Sequence, residues 1–226
     1  MKPIRHQIIT KDGSSTLRIE ELKESYHSKH GAVVESKFVY LDEGLKYWSE
    51  KQPKKRCRIL ELGYGTGLMT YLIFLYSLKN TIKIDYESLE AFPLNADEIN
   101  TLNYEQYFQK EKTLLHFKEF NNYSWENKEK ISPFFSLTKK EIKFENFASK
   151  SKFDLIFYDA FGSHAQPELW SLACMFKCYE LLNNGGVWVS YCAKGSVRRA
   201  LEHVGFKTYR LPGPPGKREM LRAIKY

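Results

Sequence analysis

The sequence predicts an α/β fold: a mostly parallel, seven-stranded sheet covered by helices on both faces and closed by a C-terminal antiparallel hairpin. Three observations carry this. Short apolar runs alternate with helical patterns from residue 57 onward, and the first run ends in a glycine-rich turn that opens a helix. The last two runs are separated only by Leu211-Pro212-Gly213-Pro214-Pro215-Gly216-Lys217-Arg218, too few residues for a helical crossover, so they must run antiparallel.

The elements follow in order. Residues 1–50 are polar and mixed, and read as a short β-hairpin, a loop and an amphipathic helix from Phe38 to Trp48, an extension packed on a core of residues 51–226. Cys57 to Leu62 is the first core strand, and Leu68 to Leu75 is apolar enough for a buried helix. Ile82 to Leu89 is the second strand, ending at Glu90, and Pro93 suits the start of a helix containing Ala96 to Ile99. Asn100 to Lys130 shows no clean period and is assigned mostly to helix. Phe135 to Thr138 and Phe153 to Asp159 are strands. A helix opens at Pro167 and runs to Leu182, where Asn183-Asn184-Gly185-Gly186 should stop it. Gly186 to Tyr191 (strand), Ser196 to Val204 (helix), and the strands Phe206 to Arg210 and Glu219 to Lys225 complete the chain. A parallel sheet ending in an antiparallel hairpin is the architecture of the common S-adenosylmethionine-dependent methyltransferases.

Composition narrows the function classes. With 42% hydrophobic residues, 15 Tyr and 15 Phe in 226 residues, the chain can bury a substantial core. Its longest uncharged apolar stretch, Leu68 to Leu78, is far short of the roughly 20 residues a membrane-spanning helix needs. No membrane association is expected. Met1-Lys2-Pro3-Ile4-Arg5-His6 lacks the apolar core of a secretory signal. Cys57, Cys174, Cys178 and Cys192 form no disulfide framework and no C-x-x-C pair, which fits a reduced, cytoplasmic setting. Cys174 and Cys178 are one helical turn apart but lack further ligands at zinc-site spacing, so no metal is expected. The net charge of +8 is compatible with a polyanionic partner without requiring one.

Chemistry concentrates at three places. Glu61-Leu62-Gly63-Tyr64-Gly65-Thr66-Gly67 joins the first strand to its helix, where glycines let the backbone approach a nucleotide-like ligand and the helix start offers free N–H groups. The dinucleotide fingerprint would need a sixth-position glycine where Leu68 stands, and an acidic residue two before the first glycine is usual in S-adenosylmethionine sites, so that cofactor is favoured. Glu90, at the end of the second strand, suits the two hydroxyls of a ribose. A third acidic contact, to the adenine amino group, is expected after the next strand, with Glu141 the first choice and Glu145 the alternative. Asp159, at the end of the fourth strand, can hold an amine through its N–H groups, and Phe161 two residues on can stack on a base. Position alone leaves open a helix-cap or turn role for Asp159.

A larger set of motifs is specific. Asp159-Ala160-Phe161-Gly162-Ser163-His164-Ala165-Gln166-Pro167-Glu168-Leu169-Trp170, the pair Gly185-Gly186, Tyr191 to Leu201, Gly205-Phe206, Pro212 to Leu221, Ser88 to Leu94 and the patch Tyr26 to Glu35 resemble the methyltransferase half of the bifunctional tRNA 5-methylaminomethyl-2-thiouridine biosynthesis proteins. The likeness covers nearly the whole chain, most weakly from about 100 to 150. It implies methyl transfer from S-adenosylmethionine to the amine of 5-aminomethyl-2-thiouridine at the tRNA wobble position, with Asp159 beside the reacting amine. Taken together, cofactor contacts are expected at Glu61, Gly63, Tyr64, Gly65, Gly67, Glu90, Glu141 and Asp159. Substrate contacts are expected at Tyr26, Phe161, Lys194, Arg198, Lys217 and Arg218, with Arg199 in the same basic cluster. The family also carries a flavin-dependent oxidase domain, for which 226 residues leave no room, so a free-standing form without flavin is expected. Gly162-Ser163-His164 departs from the family's small-Pro pattern. The alternatives are a related methyl or aminopropyl transferase acting on a small amine, and a non-catalytic nucleic-acid-binding module.

Overall fold

The computed structural model describes residues 4–52, 56–109 and 115–226. Its N-terminal part is a three-stranded antiparallel meander, β1 (Arg5–Ile9), β2 (Ser15–Ile19) and β3 (Glu24–Ser25). One helical segment follows, as α1 (Ala32–Ser36), a π-helical stretch Lys37–Lys46 and α2 (Tyr47–Lys51). The core continues with β4 (Arg56–Leu62), α3 (Leu68–Asn80), β5 (Lys83–Glu90), α4 (Ala96–Asn100), α5 (Tyr104–Tyr107), α6 (Phe117–Asn122), β6 (Lys128–Ser132), β7 (Phe135–Glu141) and β8 (Phe153–Tyr158). It ends with α7 (Leu172–Leu181), β9 (Leu182–Ser190), α8 (Gly195–His203), β10 (Lys207–Pro212) and β11 (Glu219–Ile224).

The strands form one sheet in the order β10-β11-β9-β8-β4-β5-β7-β6, parallel from β9 through β7 and antiparallel beyond. Because β4 lies between β5 and β8, α3, which leads from it to β5, and α7, which follows β8, cover opposite faces, and a crevice opens at its carboxyl end. Strand alternation divides the interior. Cys57 and Ile59 of β4 join Leu155, Phe157 and α3 on one side, whereas Leu60 and Leu62 join Ile156, Tyr158 and the buried residues of α7 on the other. Among the described residues no helix is long and apolar enough to cross a membrane.

The Rossmann-like α/β class holds, with departures in detail, among them a break at Ser171 that divides the helix expected from Pro167 into a 3-10 turn and α7. The sheet has eight strands, because β6 adds an antiparallel edge within the stretch assigned to helix. Lys128-Glu129-Lys130 gives that edge no apolar period to read, and such charges keep an edge from pairing with other chains. Among the described residues only the short α5 and α6 occupy the rest of that stretch, and 110–114 lie outside the described residues, as do Met1 to Pro3 of the signal reading. The helix after Pro93 begins instead behind Asn95, whose side chain and that of Glu98 form a reciprocal cap. Asn183 to Gly186 do not terminate a helix but lie inside β9, where pairing with β8 shifts register between Phe153 and Leu155.

Several contacts fasten the extension to the core. The Arg5 guanidinium meets Glu98 at 3.0 Å, with side-chain exposures of 3% and 18%, while Asn103 exchanges 2.8 Å hydrogen bonds with Ser15. On the other side Lys217, in the β10–β11 loop, pairs with Glu35 of α1 at 2.6 Å, and the His30 ring packs on Gly216.

Candidate active site

The crevice at the end of β4 is a cavity of about 240 Å³. Its floor is the glycine turn. Gly63 has φ 93°, and a Cβ there would lie 2.7 Å from the carbonyl oxygen of Asp159, so the ends of β4 and β8 touch only because no side chain intervenes. Gly65 has φ 52°, and a Cβ there would lie 3.0 Å from the Tyr26 ring. The turn is tied to β5, since Gly63 N–H and Tyr64 N–H donate to the Leu89 carbonyl at 2.9 and 3.1 Å. Behind it Lys139, wholly buried, donates to the Asn121 carbonyl at 2.9 Å and sits 5.2 Å from the Tyr64 ring.

Three carboxylates face this space in different ways. Glu61 is buried, accepts hydroxyls from Ser88 and Thr70, and is pushed up to about 8 by burial, the charge of Asp159 adding to the shift and the hydroxyl bonds opposing it. Glu90 accepts the Phe92 N–H on Oε1 at 2.9 Å and the Gly65 N–H on Oε2 at 3.0 Å. Asp159 receives the Tyr40 hydroxyl on Oδ1 at 2.6 Å and is pushed up to about 7 by burial; the Tyr40 bond opposes this, Glu35 adds to it and Lys217 opposes it. Beyond Asp159, Phe161 and Tyr26 pack edge to face with centroids 5.1 Å apart. The Phe161 loop is pinned: Trp170 Nε1 donates to the Phe161 carbonyl at 2.8 Å, and Gly162 N–H donates to Glu24 at 2.8 Å.

Of the residues singled out in the sequence, Glu61, Gly63, Tyr64, Gly65, Glu90, Asp159, Phe161 and Tyr26 line this one cavity. Gly67 lies next to it, capping α3. Glu141 does not reach it. The last residue of β7, it is exposed, with its N–H on Glu126 at 2.9 Å, and Ile142 and Phe144 line the wall instead, because the chain leaves the strand one residue later. Glu145 is likewise exposed. The basic residues stand outside the cavity. Lys194 reaches Ser163, Arg198 pairs with Glu202 at 2.5 Å, and Arg218 is exposed. Lys217 is turned inward, 3.7 Å from the centre of the Tyr191 ring. Sequence reasoning missed Tyr40, which is one of several aromatics in an amphipathic run, Arg5, which carries no motif, and His27, which lies in the patch Tyr26 to Glu35 without being singled out in it. His27 is a buried imidazole bonded to Thr16 at 2.9 Å and held down at about 4 by burial.

A sequence profile of S-adenosyl-L-methionine-dependent methyltransferases matches residues 98–226. The chain belongs to this family. S-adenosylmethionine-dependent methyltransferases bind their cofactor at the carboxyl ends of the parallel strands, and here the glycine turn, the Glu90 carboxylate and the open cavity beside them fit it. Among curated proteins this methyltransferase is 29% identical over 213 residues to the tRNA 5-methylaminomethyl-2-thiouridine biosynthesis bifunctional protein MnmC of Leptospira interrogans, covering 89% of this chain and 32% of that protein. It is 29% identical over 214 residues to the protein of the same name from Campylobacter hominis, covering 90% and 30%. The chain thus spans about a third of the length of these relatives. Among solved structures, MNMC2 from Aquifex aeolicus is 25% identical, with a TM-score of 0.78 over 100% of this chain and 71% of that one.

Proposed function

We propose that this methyltransferase transfers the methyl group of S-adenosylmethionine to the amine of 5-aminomethyl-2-thiouridine at the wobble position of tRNA in the cytoplasm. Residues 51–226 act as the catalytic domain and residues 1–50 as an extension that helps close the site. The observation that carries the reading is a half-buried carboxylate, Asp159, in the same cavity as the glycine turn and Glu90, with the Tyr26 and Phe161 rings beyond it. The names of the relatives support the tRNA acceptor.

The cofactor supplies an electrophilic methyl on a sulfonium. Glu90, fixed by two backbone amides, keeps lone pairs for the ribose hydroxyls. Asp159 holds the acceptor amine by its N–H groups and takes the departing proton at a carboxylate oxygen, which leaves the nitrogen lone pair aimed at the methyl carbon. Tyr40 fixes that carboxylate from behind through Oδ1, leaving Oδ2 for the amine. Phe161 and Tyr26 offer aromatic surface to the flipped base. Lys194 and Arg218, both exposed, meet the phosphates, with Arg198 beside them on α8. Mass spectrometry of nucleosides from aminomethyl-bearing tRNA, incubated with the protein and S-adenosylmethionine, should show 5-methylaminomethyl-2-thiouridine. Methylation of a small amine with the tRNA nucleoside unchanged would replace this reading by a small-molecule transferase.

A further inference from the structure

The extension contributes a charged side chain to the cavity that the reaction outlined above leaves unused. Arg5, on β1, lines the cavity although its side chain is only 3% exposed. Its Nη1 donates to Glu98 at 3.0 Å and its Nη2 to the Phe92 carbonyl at 3.0 Å. The third nitrogen, Nε, is buried and makes no hydrogen bond of ordinary geometry, with the Tyr26 side chain the further polar group acting on the guanidinium. A buried guanidinium N–H without a partner costs free energy, so its persistence calls for a reason.

The position of Arg5 identifies the end of the cleft it serves. Residue 92 is gripped from both sides, its N–H by Glu90 at 2.9 Å and its carbonyl by Arg5 at 3.0 Å, so the two charged side chains share one stretch of the cavity wall. Tyr26 links the two ends of the cleft, lying over Gly65 with the Arg5 guanidinium 5.9 Å from its ring centre and the Phe161 ring centre at 5.1 Å. The charge of Arg5 is already matched by Glu98, so what its free N–H suits is a neutral oxygen acceptor.

We propose that Arg5 is a cofactor-binding residue, donating from Nε to a ribose oxygen of the bound nucleoside across from Glu90, with Tyr26 closing the wall beside it. The inference rests on S-adenosylmethionine as cofactor but not on the identity of the acceptor. It makes the N-terminal meander part of the binding site and not only its covering.

The test separates the Nε–H from the Glu98 ion pair. Titration calorimetry with S-adenosylhomocysteine, and with 5′-methylthioadenosine, which keeps the ribose but lacks the amino acid, is run on wild type, Arg5→Lys, Arg5→Met and Glu98→Gln. Lysine keeps a cation for Glu98 but has no Nε–H at that place, and the amide introduced by Glu98→Gln keeps an acceptor for the helix cap. Both Arg5 variants should lose about tenfold in affinity for both ligands, while Glu98→Gln keeps most of it. Thermal melts without ligand confirm folding. Wild-type affinity in Arg5→Lys, or an equal loss in Glu98→Gln, would reduce Arg5 to a latch and overturn the proposal. Wild-type protein that binds neither ligand overturns the cofactor assignment and this inference together; loss of tRNA methylation alone, with these affinities intact, overturns only the acceptor.

Discussion

The glycine end and the Asp159 end of the cleft face the same cavity but are built from different material. At the first, backbone amides, a glycine turn and one carboxylate do most of the work, all within residues 61–92. At the second, a single carboxylate is held by a tyrosine 119 residues away in sequence and by loop contacts from three further parts of the chain. A site made of backbone tolerates side-chain change poorly wherever the chain has no room, but it titrates little. A site made of side chains can be retuned, and its protonation responds to its neighbours.

The largest expected effect tests the backbone-built end. Gly65→Val would drive a branched side chain against Tyr26 from a left-handed backbone position, and S-adenosylmethionine affinity should fall by on the order of 100-fold or more by calorimetry. Undiminished affinity would remove the turn from the cofactor site. Next, Asp159→Ala should slow single-turnover methyl transfer by roughly 10²–10³-fold, with Asp159→Asn intermediate and cofactor binding largely kept. Equal transfer rates for all three proteins would leave Asp159 a turn residue.

A smaller effect is set by pH. Asp159 and Glu61 titrate at about 7 and about 8 in the folded protein, above their unfolded values. Their protonated forms therefore favour the fold at low pH, and that contribution fades as pH rises through about 7 and about 8, so the unliganded protein should melt lower at about pH 8.5 than at about pH 5.5. A cationic sulfonium prefers the ionised carboxylates, so cofactor affinity should rise over the same interval and flatten in Asp159→Asn. A pH-independent affinity would count against both carboxyls facing the sulfonium. The smallest effect contrasts adjacent residues. Exposed Arg218→Ala should raise the tRNA Michaelis constant and reduce its salt dependence. Lys217→Met should instead move the pH midpoint of turnover upward, because the charge opposing protonation of Asp159 is lost. Identical behaviour of the two variants would erase the distinction.

The same contrast explains how much was legible in the sequence. The turn from Glu61 to Gly67, the Glu90 carboxylate and the strand into Asp159 are local patterns, and each stands where its spacing predicted, lining the cavity or beside it. Tyr40 and Lys217 were not legible as neighbours of Asp159, because nothing local in a tyrosine of an amphipathic run, or a lysine in a proline-rich loop, records what folding brings against it. Lys217 looked like a phosphate contact and proves to be paired with Glu35. Glu141, at the end of β7, is exposed and does not line the cavity, because the adjacent Lys139 and Lys140 leave no alternation from which to judge which way the strand's last side chains point. The edge strand β6 was hidden because charges on both its faces leave no period to detect.

The placement of β11 has a kinetic consequence. It lies inside the sheet, between β9 and β10, and the loop before it carries the lysine that grips α1. Native contacts therefore span almost the whole chain, which makes folding slow for a protein of this size. The cofactor cavity draws on both the meander and the core, so it is complete only on the native side of the folding barrier. Bound nucleoside should leave the rate of folding unchanged and lower the rate of unfolding, so that loading with cofactor lengthens the lifetime of the folded chain.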